Sequence, residues 1–302
     1  MLNLRKILLC LVVLFPLNAT LKETNGHYLK IDESVSLFYY DVGSGEPLVF
    51  IPGWLMPSEV FEAQITYFSQ KYRVIAVDPR SQGRSSVTLE NNNYTQHGAD
   101  LAKFLDQLHL QNVVLVAWSW GCNDLYAYVR LKGTENLKAA ICIDASPKSS
   151  GGKEEWAFAN YQDWGSAVIQ PMMYNRLPYA KQWAQSMIER PLSSQELNWF
   201  VNQSLKTPTY AALEMALDAI YADYQPEARL LESKNIPSLD FVSGRFADLA
   251  KKWLQVNSPH TQLQVMGEKH LAFWEHPDRF NSLLEKFLEG LKISSKEKAH
   301  RD

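Results

Sequence analysis

Ser119 lies between a strand-like segment and a helical one. Residues 113–117 form a continuous apolar run of the kind found in buried strands, and helical sequence follows Gly121. A tight turn between such elements lifts the side chain at its tip above the sheet edge, with the amino end of the helix facing it. Ala117 and Gly121 flank the serine, and their small size suits the crowded backbone of this turn. The pattern therefore predicts a nucleophilic serine.

Strand-like and helical segments alternate on both sides of Ser119. Strands are predicted at residues 48–51, 73–77, 113–117 and 139–143. Helices are predicted at 58–69, with Ser58 as N-cap, and at 95–108, with Thr95 as N-cap. This alternation predicts βαβ crossovers and an α/β fold with a mostly parallel sheet flanked by helices. Ligands bind at the carboxyl ends of strands in such sheets, so residues that follow strands are the candidates for chemistry.

The alternation stops after Pro147. Residues 148–235 hold many of the aromatic side chains in segments of helical character, which indicates an inserted helical cap. Strand-like sequence returns at 236–242 and 263–266, and an amphipathic helix closes the chain with Phe280, Leu284 and Phe287 on one face. We therefore expect a core made of residues 21–147 and 236–302, with residues 148–235 as the cap.

Four segments resemble motifs of the α/β-hydrolase superfamily, in the superfamily's order along the chain. Ala-Trp-Ser-Trp-Gly at 117–121 resembles the nucleophile elbow, with alanine in place of the first glycine. Ile-Pro-Gly-Trp at 51–54 resembles the oxyanion loop, with Pro52 in place of the usual histidine. Residues 78–85 resemble the Asp-x-Arg-x-x-Gly-x-Ser loop, and residues 269–277 resemble the segment that carries the catalytic histidine. The resemblance covers residues 28–146 and 236–291 and implies an α/β-hydrolase fold.

A neutral serine hydroxyl is a weak nucleophile, so it requires a general base and an acid that orients this base. The resemblance places His270 at the position of the base, and His276, one turn later, is the alternative. Two aspartates are candidates for the acid. Asp144 ends the strand at 141–143 and faces the expected ligand crevice, so it is favoured. Asp248 lies one residue late in the superfamily's majority pattern after Gly244, where it is equally suited to cap a helix.

Oxyanion stabilisation in this fold comes from two backbone N–H groups, one on the residue after the nucleophile and one on the first loop. The matching residues are Trp120 and Trp54, and each such donor stabilises a transition state by about 2.7–4 kcal/mol. Asp78 and Arg80 are expected to tie loops together, because an arginine that stays charged cannot serve as a base. The resemblance implies no metal and no cofactor.

The resemblance implies hydrolysis of an ester, thioester, amide or lactone through an acyl-enzyme on Ser119. Trp54, Trp118, Trp120 and the aromatic cap favour a small or medium apolar substrate. Two other chemistries use the same scaffold, namely perhydrolase or non-haem haloperoxidase activity and cofactor-free dioxygenation. The alternative from another class is a non-catalytic protein that binds a small ligand in the cap pocket, since fold alone does not fix function.

The composition bounds the partners. With 302 residues, of which 46% are hydrophobic and 21% charged, the chain is typical of a globular protein with a substantial core. A net charge of -3 supplies no broad cationic surface, so nucleic acid is not an expected partner. The expected partner is a small-molecule substrate, and the sequence leaves the oligomeric state open.

The first twenty residues predict export. Arg5 and Lys6 precede an apolar run at 7–17 and a small-residue end at 18–20, the order typical of a signal peptide. The run is shorter than the ~20 residues that span a bilayer, so we expect no stable membrane insertion after cleavage, and a secreted or periplasmic enzyme. Cys122 and Cys142 remain in the mature chain, and the sequence leaves open whether they pair.

Overall fold

The computed structural model describes residues 26–159 and 161–299 of the chain. The predicted signal peptide at 1–20 lies outside the described residues. Within the described ranges, no helix combines the length and the apolar character needed to cross a membrane.

The strands of the described ranges form one eight-stranded sheet, ordered β1-β2-β4-β3-β5-β6-β7-β8. The strands are β1 (Gly26–Lys30), β2 (Ser36–Gly43), β3 (Pro47–Ile51), β4 (Arg73–Val77), β5 (Val113–Trp118), β6 (Leu137–Ile143), β7 (Ser238–Val242) and β8 (Gln262–Val265). Only the pairs β1–β2 and β2–β4 are antiparallel among these strands. The predicted α/β class with a mostly parallel sheet is confirmed.

Helices cover both faces of the sheet. They are α1 (Glu62–Phe68), α2 (Tyr94–Gln107), α3 (Gly121–Lys132), α4 (Tyr161–Trp164), α5 (Gln170–Tyr174), α6 (Arg176–Ser186), α7 (Ser194–Lys206), α8 (Thr209–Tyr221), α9 (Gln225–Ser233), α10 (Ala247–Asn257), α11 (Ala272–Glu275) and α12 (Pro277–Ala299). Buried side chains of α2 and α3 share one apolar cluster with alternate residues of β5, and those of α1 and α12 share a second cluster on the opposite face. Every residue of β5 is buried, which explains its uninterrupted apolar sequence.

Two predicted helix starts are wrong. Ser58 begins a short 3₁₀ turn, its side chain caps nothing, and α1 starts only at Glu62. The N-cap of α2 is Asn93 instead of Thr95, because the Asn93 side chain accepts a hydrogen bond of 2.9 Å from the Gln96 N–H. Thr95 already lies within the first turn of the helix.

Between β6 and β7 the described chain contributes no strand to the sheet and forms the helices α4 to α9. This insertion packs over the site end of the sheet, where the Trp54 indole N–H donates a 3.1 Å hydrogen bond to the Ala212 carbonyl of α8. Trp156, one of the aromatic residues of the predicted helical cap, lies in a bend before α4 and not in a helix. The boundaries of the cap at residues 148 and 235 stay a prediction.

Candidate active site

Ser119 occupies the turn between β5 and α3 with a backbone φ of 56°. This left-handed conformation is costly for a residue with a side chain, and surrounding contacts hold it in place. The Ser119 N–H donates a 2.8 Å hydrogen bond to the Ile143 carbonyl on β6. A side chain at Gly121 would meet the Pro52 carbonyl oxygen at 2.5 Å, so the turn packs directly against the loop after β3. The small residue predicted at position 121 is therefore required by close packing.

Ser119, His270 and Asp144 form one chain of hydrogen bonds. His270 Nε2 lies 2.7 Å from Ser119 Oγ, and His270 Nδ1 lies 2.7 Å from Asp144 Oδ2. An ionised carboxylate only accepts hydrogen bonds, so Nδ1 donates, and in the neutral ring Nε2 is left to accept from the serine hydroxyl. Trp118 fixes the histidine from below by donating a 3.0 Å hydrogen bond to its carbonyl. The arrangement suits a serine whose proton passes to a histidine.

Asp144 lies at the carboxyl end of β6 and is almost fully buried. Its Oδ1 accepts a 2.7 Å hydrogen bond from the Ser243 N–H at the end of β7, and Arg245 Nη2 lies 3.5 Å from Oδ2. Burial by itself would raise the pKa of Asp144. Its neighbours outweigh this effect and hold the pKa below its usual range: His270 contributes a hydrogen bond and a charge, Ser243 a backbone N–H, and Arg245 a charge. The carboxylate is therefore charged at neutral pH.

The alternative residues from the sequence lie away from this chain of bonds. Asp248 is exposed in the first turn of α10, and its predicted role as N-cap is wrong because Phe246 occupies the cap position. His276 is exposed at the end of α11. The structure thus brings Asp144 and His270 to Ser119 and leaves the two alternatives at the surface.

The two nominated oxyanion donors, the backbone N–H groups of Trp54 and Trp120, flank Ser119. A side chain at Gly53 would meet Ser119 Cβ at 2.8 Å, so this loop lies in direct contact with the serine. The Leu55 N–H is tied to Gln82 Oε1, which fixes the course of the loop. In the described part of the chain, neither the Trp54 N–H nor the Trp120 N–H has a hydrogen-bond partner. Both donors are therefore available to an oxygen of a substrate.

Asp78 and Arg80 tie loops together, as expected from the sequence. Asp78 accepts hydrogen bonds of 2.6 Å from the Ser58 N–H and 2.8 Å from the Arg84 N–H. The Arg80 guanidinium donates two hydrogen bonds, of 2.7 and 2.9 Å, to the Asp100 carboxylate. These contacts hold the segment that carries Gln82, and through Gln82 they support the loop of Trp54.

A cavity of about 140 Å³ opens above Ser119. Its lining is mostly aromatic and apolar and consists of Trp54, Ser119, Trp120, Phe158, Trp164, Val168, Tyr179, Trp183, Ser186, Met187, Arg245 and His270. The sequence predicted that aromatic residues would face the substrate, but it did not single out Arg245. The only available signal was its place three residues after the end of β7, at the ligand-binding edge of the sheet.

Cys122 and Cys142 are both buried free thiols. The Cys122 thiol donates a hydrogen bond of 3.3 Å to the Ala117 carbonyl, and the Cys142 thiol lies 3.6 Å from the Tyr126 hydroxyl. No group of three or more histidine, cysteine or carboxylate side chains is placed to hold a metal ion within the described ranges.

Comparison with known proteins finds similarity to α/β hydrolases and to solved structures with their fold. Residues 46–172 match the family model described as alpha/beta hydrolase fold. An AB hydrolase superfamily protein of Bacillus subtilis is 24% identical over 268 residues, covering 87% of this chain and 98% of the relative. A non-heme haloperoxidase of Rhodococcus erythropolis is 33% identical over 121 residues, covering 40% of this chain and 44% of the relative. The solved esterase of Exiguobacterium antarcticum superposes with a TM-score of 0.79 at 20% identity, covering 87% of this chain and 99% of the esterase.

Proposed function

We propose that this chain, which has the α/β-hydrolase fold, is a serine hydrolase that acts through an acyl-enzyme. The proposed substrates are small or medium esters, thioesters or lactones. One observation carries the proposal: Ser119, His270 and Asp144 are joined by two hydrogen bonds of 2.7 Å each. This is the constellation that activates a serine hydroxyl on several unrelated folds.

In the first step, Ser119 Oγ attacks the carbonyl carbon of the ester while His270 Nε2 takes the hydroxyl proton. The charge of Asp144 stabilises the imidazolium that forms. The same imidazolium then gives its proton to the leaving alcohol, which departs and leaves the acyl group on Ser119. Because the Asp144 carboxylate is held in its charged form by its neighbours, it is ready for this role without a change of protonation.

The negative oxygen of the tetrahedral intermediate is assigned to the N–H groups of Trp54 and Trp120. Fixed donors of this kind stabilise charge that develops in the transition state without having to reorganise. A water molecule, deprotonated by His270, then attacks the acyl-enzyme and releases the acid. The aromatic cavity supports an apolar body for the substrate, and its modest volume favours a small or medium one.

Perhydrolysis is a second candidate. In this reaction, hydrogen peroxide instead of water attacks the acyl-enzyme and a peracid is released. The observation that favours it is the 33% identity to a non-heme haloperoxidase over 121 residues. Peracid and acid formed from an acetate ester in the presence of hydrogen peroxide, measured side by side, give the partition between the two nucleophiles.

Turnover of p-nitrophenyl acetate and butyrate by the purified protein tests the proposal, with Ser119→Ala as the matched control. We expect release of p-nitrophenol by the native chain and none above background by the variant. Equal rates for both proteins would place the chemistry elsewhere. A series of acyl chain lengths then maps the capacity of the cavity, and oxygen uptake without a cofactor would instead favour the dioxygenase alternative.

We further propose that the enzyme acts outside the cytoplasm, as a secreted or periplasmic protein. Support comes from the basic start, the short apolar run and the small residues at 18–20. Sequencing of the amino end of the protein isolated from its native host is the test. We expect a start near Thr20 or Leu21, whereas Met1 on soluble cytoplasmic protein would contradict export.

A further inference from the structure

We propose that Arg245 binds a carboxylate on the substrate, so that the preferred esters carry an anionic group in addition to the scissile bond. This inference rests on the proposed ester hydrolysis at Ser119 and names the substrate class for that site. Its starting point is the cavity itself, because Arg245 lines the same cavity as Ser119 and His270.

Arg245 lies in the short 3₁₀ turn Gly244–Phe246, directly after β7 and at the carboxyl edge of the sheet. Its guanidinium lies 5.0 Å from the centre of the Phe158 ring and 4.4 Å from that of Phe246. Contact with two aromatic faces positions the planar guanidinium without engaging its N–H donors. The side chain is therefore held at the cavity by packing and keeps capacity for a ligand.

The polar contacts of Arg245 are long in comparison with those of Arg80 and Arg130. Nη2 lies 3.5 Å from Asp144 Oδ2, and Nε lies 3.3 Å from Ser243 Oγ. By contrast, Arg80 and Arg130 each hold a carboxylate through two hydrogen bonds of 2.9 Å or less. A guanidinium offers five N–H donors in a fork that matches a carboxylate. Arg245 therefore lacks the two-pronged partner that these other arginines have within the described ranges.

Asp144 does not fill that role, because its oxygens already serve other partners. Oδ1 accepts from the Ser243 N–H and Oδ2 accepts from His270, each at 2.7 Å. Arg245 is about half-exposed, with 43% of its side chain accessible, whereas Asp144 is buried beside it. The free edge of the guanidinium is thus accessible to a molecule that enters the cavity.

The charge of the cavity favours an anion. Arg245 is the only permanently charged side chain among the described lining residues, and no carboxylate lines the cavity. Aromatic walls exclude water and strengthen an ion pair formed between them. A fitting substrate places its ester carbonyl at Ser119, its apolar body against the tryptophans and a carboxylate at Arg245. Half-esters of dicarboxylic acids and aryl esters with a ring carboxylate both meet this description.

Matched ester pairs test the proposal. Monomethyl adipate is compared with methyl hexanoate, and 3-acetoxybenzoate with phenyl acetate, since each pair differs in the carboxylate. We would measure kcat/KM at neutral pH for the native enzyme, Arg245→Gln, Arg245→Lys and the control Arg229→Gln. Arg229 lies on α9 outside the cavity lining and bonds to Asn257.

We expect the native enzyme to prefer the anionic member of at least one pair. Arg245→Gln should lower kcat/KM for that member by about 10-fold or more relative to its neutral partner, the size expected when a charge-assisted hydrogen bond is lost. Arg245→Lys should give an intermediate ratio, because it keeps the charge without the fork. If the substitution also disturbs Asp144, kcat/KM falls for both esters of a pair by the same factor, and this factor cancels in the ratio. Arg229→Gln should leave the ratio unchanged.

An equal fall for anionic and neutral esters in Arg245→Gln would overturn the anion site while leaving ester hydrolysis intact. Turnover that persists in Ser119→Ala would instead overturn the proposed function. A second readout serves if none of the four esters is hydrolysed. Benzoate should slow fluorophosphonate labelling of the native enzyme more than that of Arg245→Gln, and equal slowing in both proteins would contradict the proposal.

Discussion

Two buried aspartates on neighbouring strands differ in their surroundings, because one side chain has hydrogen-bond partners and the other has none among the described residues. Asp144 ends β6 at the site, and Asp240 lies inside β7, where it is paired in register with Cys142. Their exposed fractions are similar, at 4% and 8%. Asp144 is held by His270 and the Ser243 N–H. The Asp240 side chain has no hydrogen bond or ion pair with any described residue.

The comparison separates the effect of burial from the effect of partners. Burial raises the pKa of Asp240 to about 7, because nothing offsets the loss of hydration. In Asp144 the same loss is outweighed by hydrogen bonds and positive charge, and the pKa falls below its usual range. The strand ends, where loops supply N–H donors and cations, can therefore keep a carboxylate charged for chemistry. The strand interior cannot.

The two residues also affect stability in opposite directions as pH changes. A lowered pKa in the folded state, as for Asp144, adds stability at pH values above the pKa of the unfolded state. This stability is lost as pH falls through the pKa of the folded state. A raised pKa, as for Asp240, favours the folded state while the group is protonated, and the advantage is lost as pH rises from about 4 to about 7.

The largest expected effect comes from neutralising the partnered aspartate. Asp144→Asn removes the charge that stabilises the imidazolium and can favour the wrong histidine tautomer, so kcat should fall by as much as ~10⁴-fold. Steady-state kinetics on an ester that the native enzyme hydrolyses measure the loss, and circular dichroism checks that the variant is folded. Nearly full activity in a folded variant would show that catalysis does not need a charged Asp144, and it would contradict the contrast drawn between Asp144 and Asp240.

A smaller effect is expected from disturbing the loop at the same end of the sheet. Gly53→Ala adds a Cβ that would lie 2.8 Å from Ser119 Cβ and 3.1 Å from the Trp118 ring. Displacement of the serine or of the oxyanion donors by about 1 Å should lower kcat by roughly 10²-fold. Gly290→Ala on α12 is the matched control, because no atom lies within 4 Å of its added Cβ. Comparable loss in both variants would argue against a placement effect at the site.

Substitution of Asp240 should change the stability of the protein. Asp240→Asn removes the penalty of ionising a buried carboxylate, so above pH 7 the variant should be more stable than the native chain by roughly 1–3 kcal/mol. The gain should shrink as pH falls towards 4, below which the native residue becomes protonated in both states. Urea unfolding at a series of pH values measures this, and a difference that does not change with pH would contradict the raised pKa of Asp240.

The smallest effect is expected at Asp248, which sharpens the assignment of the acid. This carboxylate is exposed, and it caps no helix. Asp248→Asn should therefore keep most activity, and its midpoint of thermal unfolding should stay near that of the native chain, since surface substitutions usually change stability by no more than about 0.5 kcal/mol. A loss of kcat as large as that of Asp144→Asn would reopen the choice between the two carboxylates.

Much of the fold could be predicted from the sequence because local patterns determine it. The apolar run of β5, the turn at Ser119 and the face of α12 are each visible within a few residues. Helix starts were predicted less well, since Asn93 and Thr95 are equally plausible caps by type and only the backbone course distinguishes them. The packing of the inserted helices against Trp54 joins residues more than 150 positions apart, and no local pattern encodes it.

The candidate site shows the same division. Ser119 and His270 lie in recognisable motifs, whereas the choice between Asp144 and Asp248 depends on which carboxylate faces His270 in three dimensions. Gln82 and Arg245 were not singled out. Gln82 occupies a variable position of its motif, and its bond to the Leu55 N–H connects two loops. Arg245 could not be recognised as a site residue until the structure placed it in the lining of the cavity.

Ser119 is the proposed nucleophile, and covalent labelling tests this assignment most directly. A fluorophosphonate reacts with an activated serine hydroxyl, so intact-mass analysis should show one adduct on the native protein, mapped to the peptide that contains Ser119. The adduct should be absent from Ser119→Ala and formed far more slowly in Asp144→Asn. An adduct that persists in Ser119→Ala, or that maps to another peptide, would contradict the account.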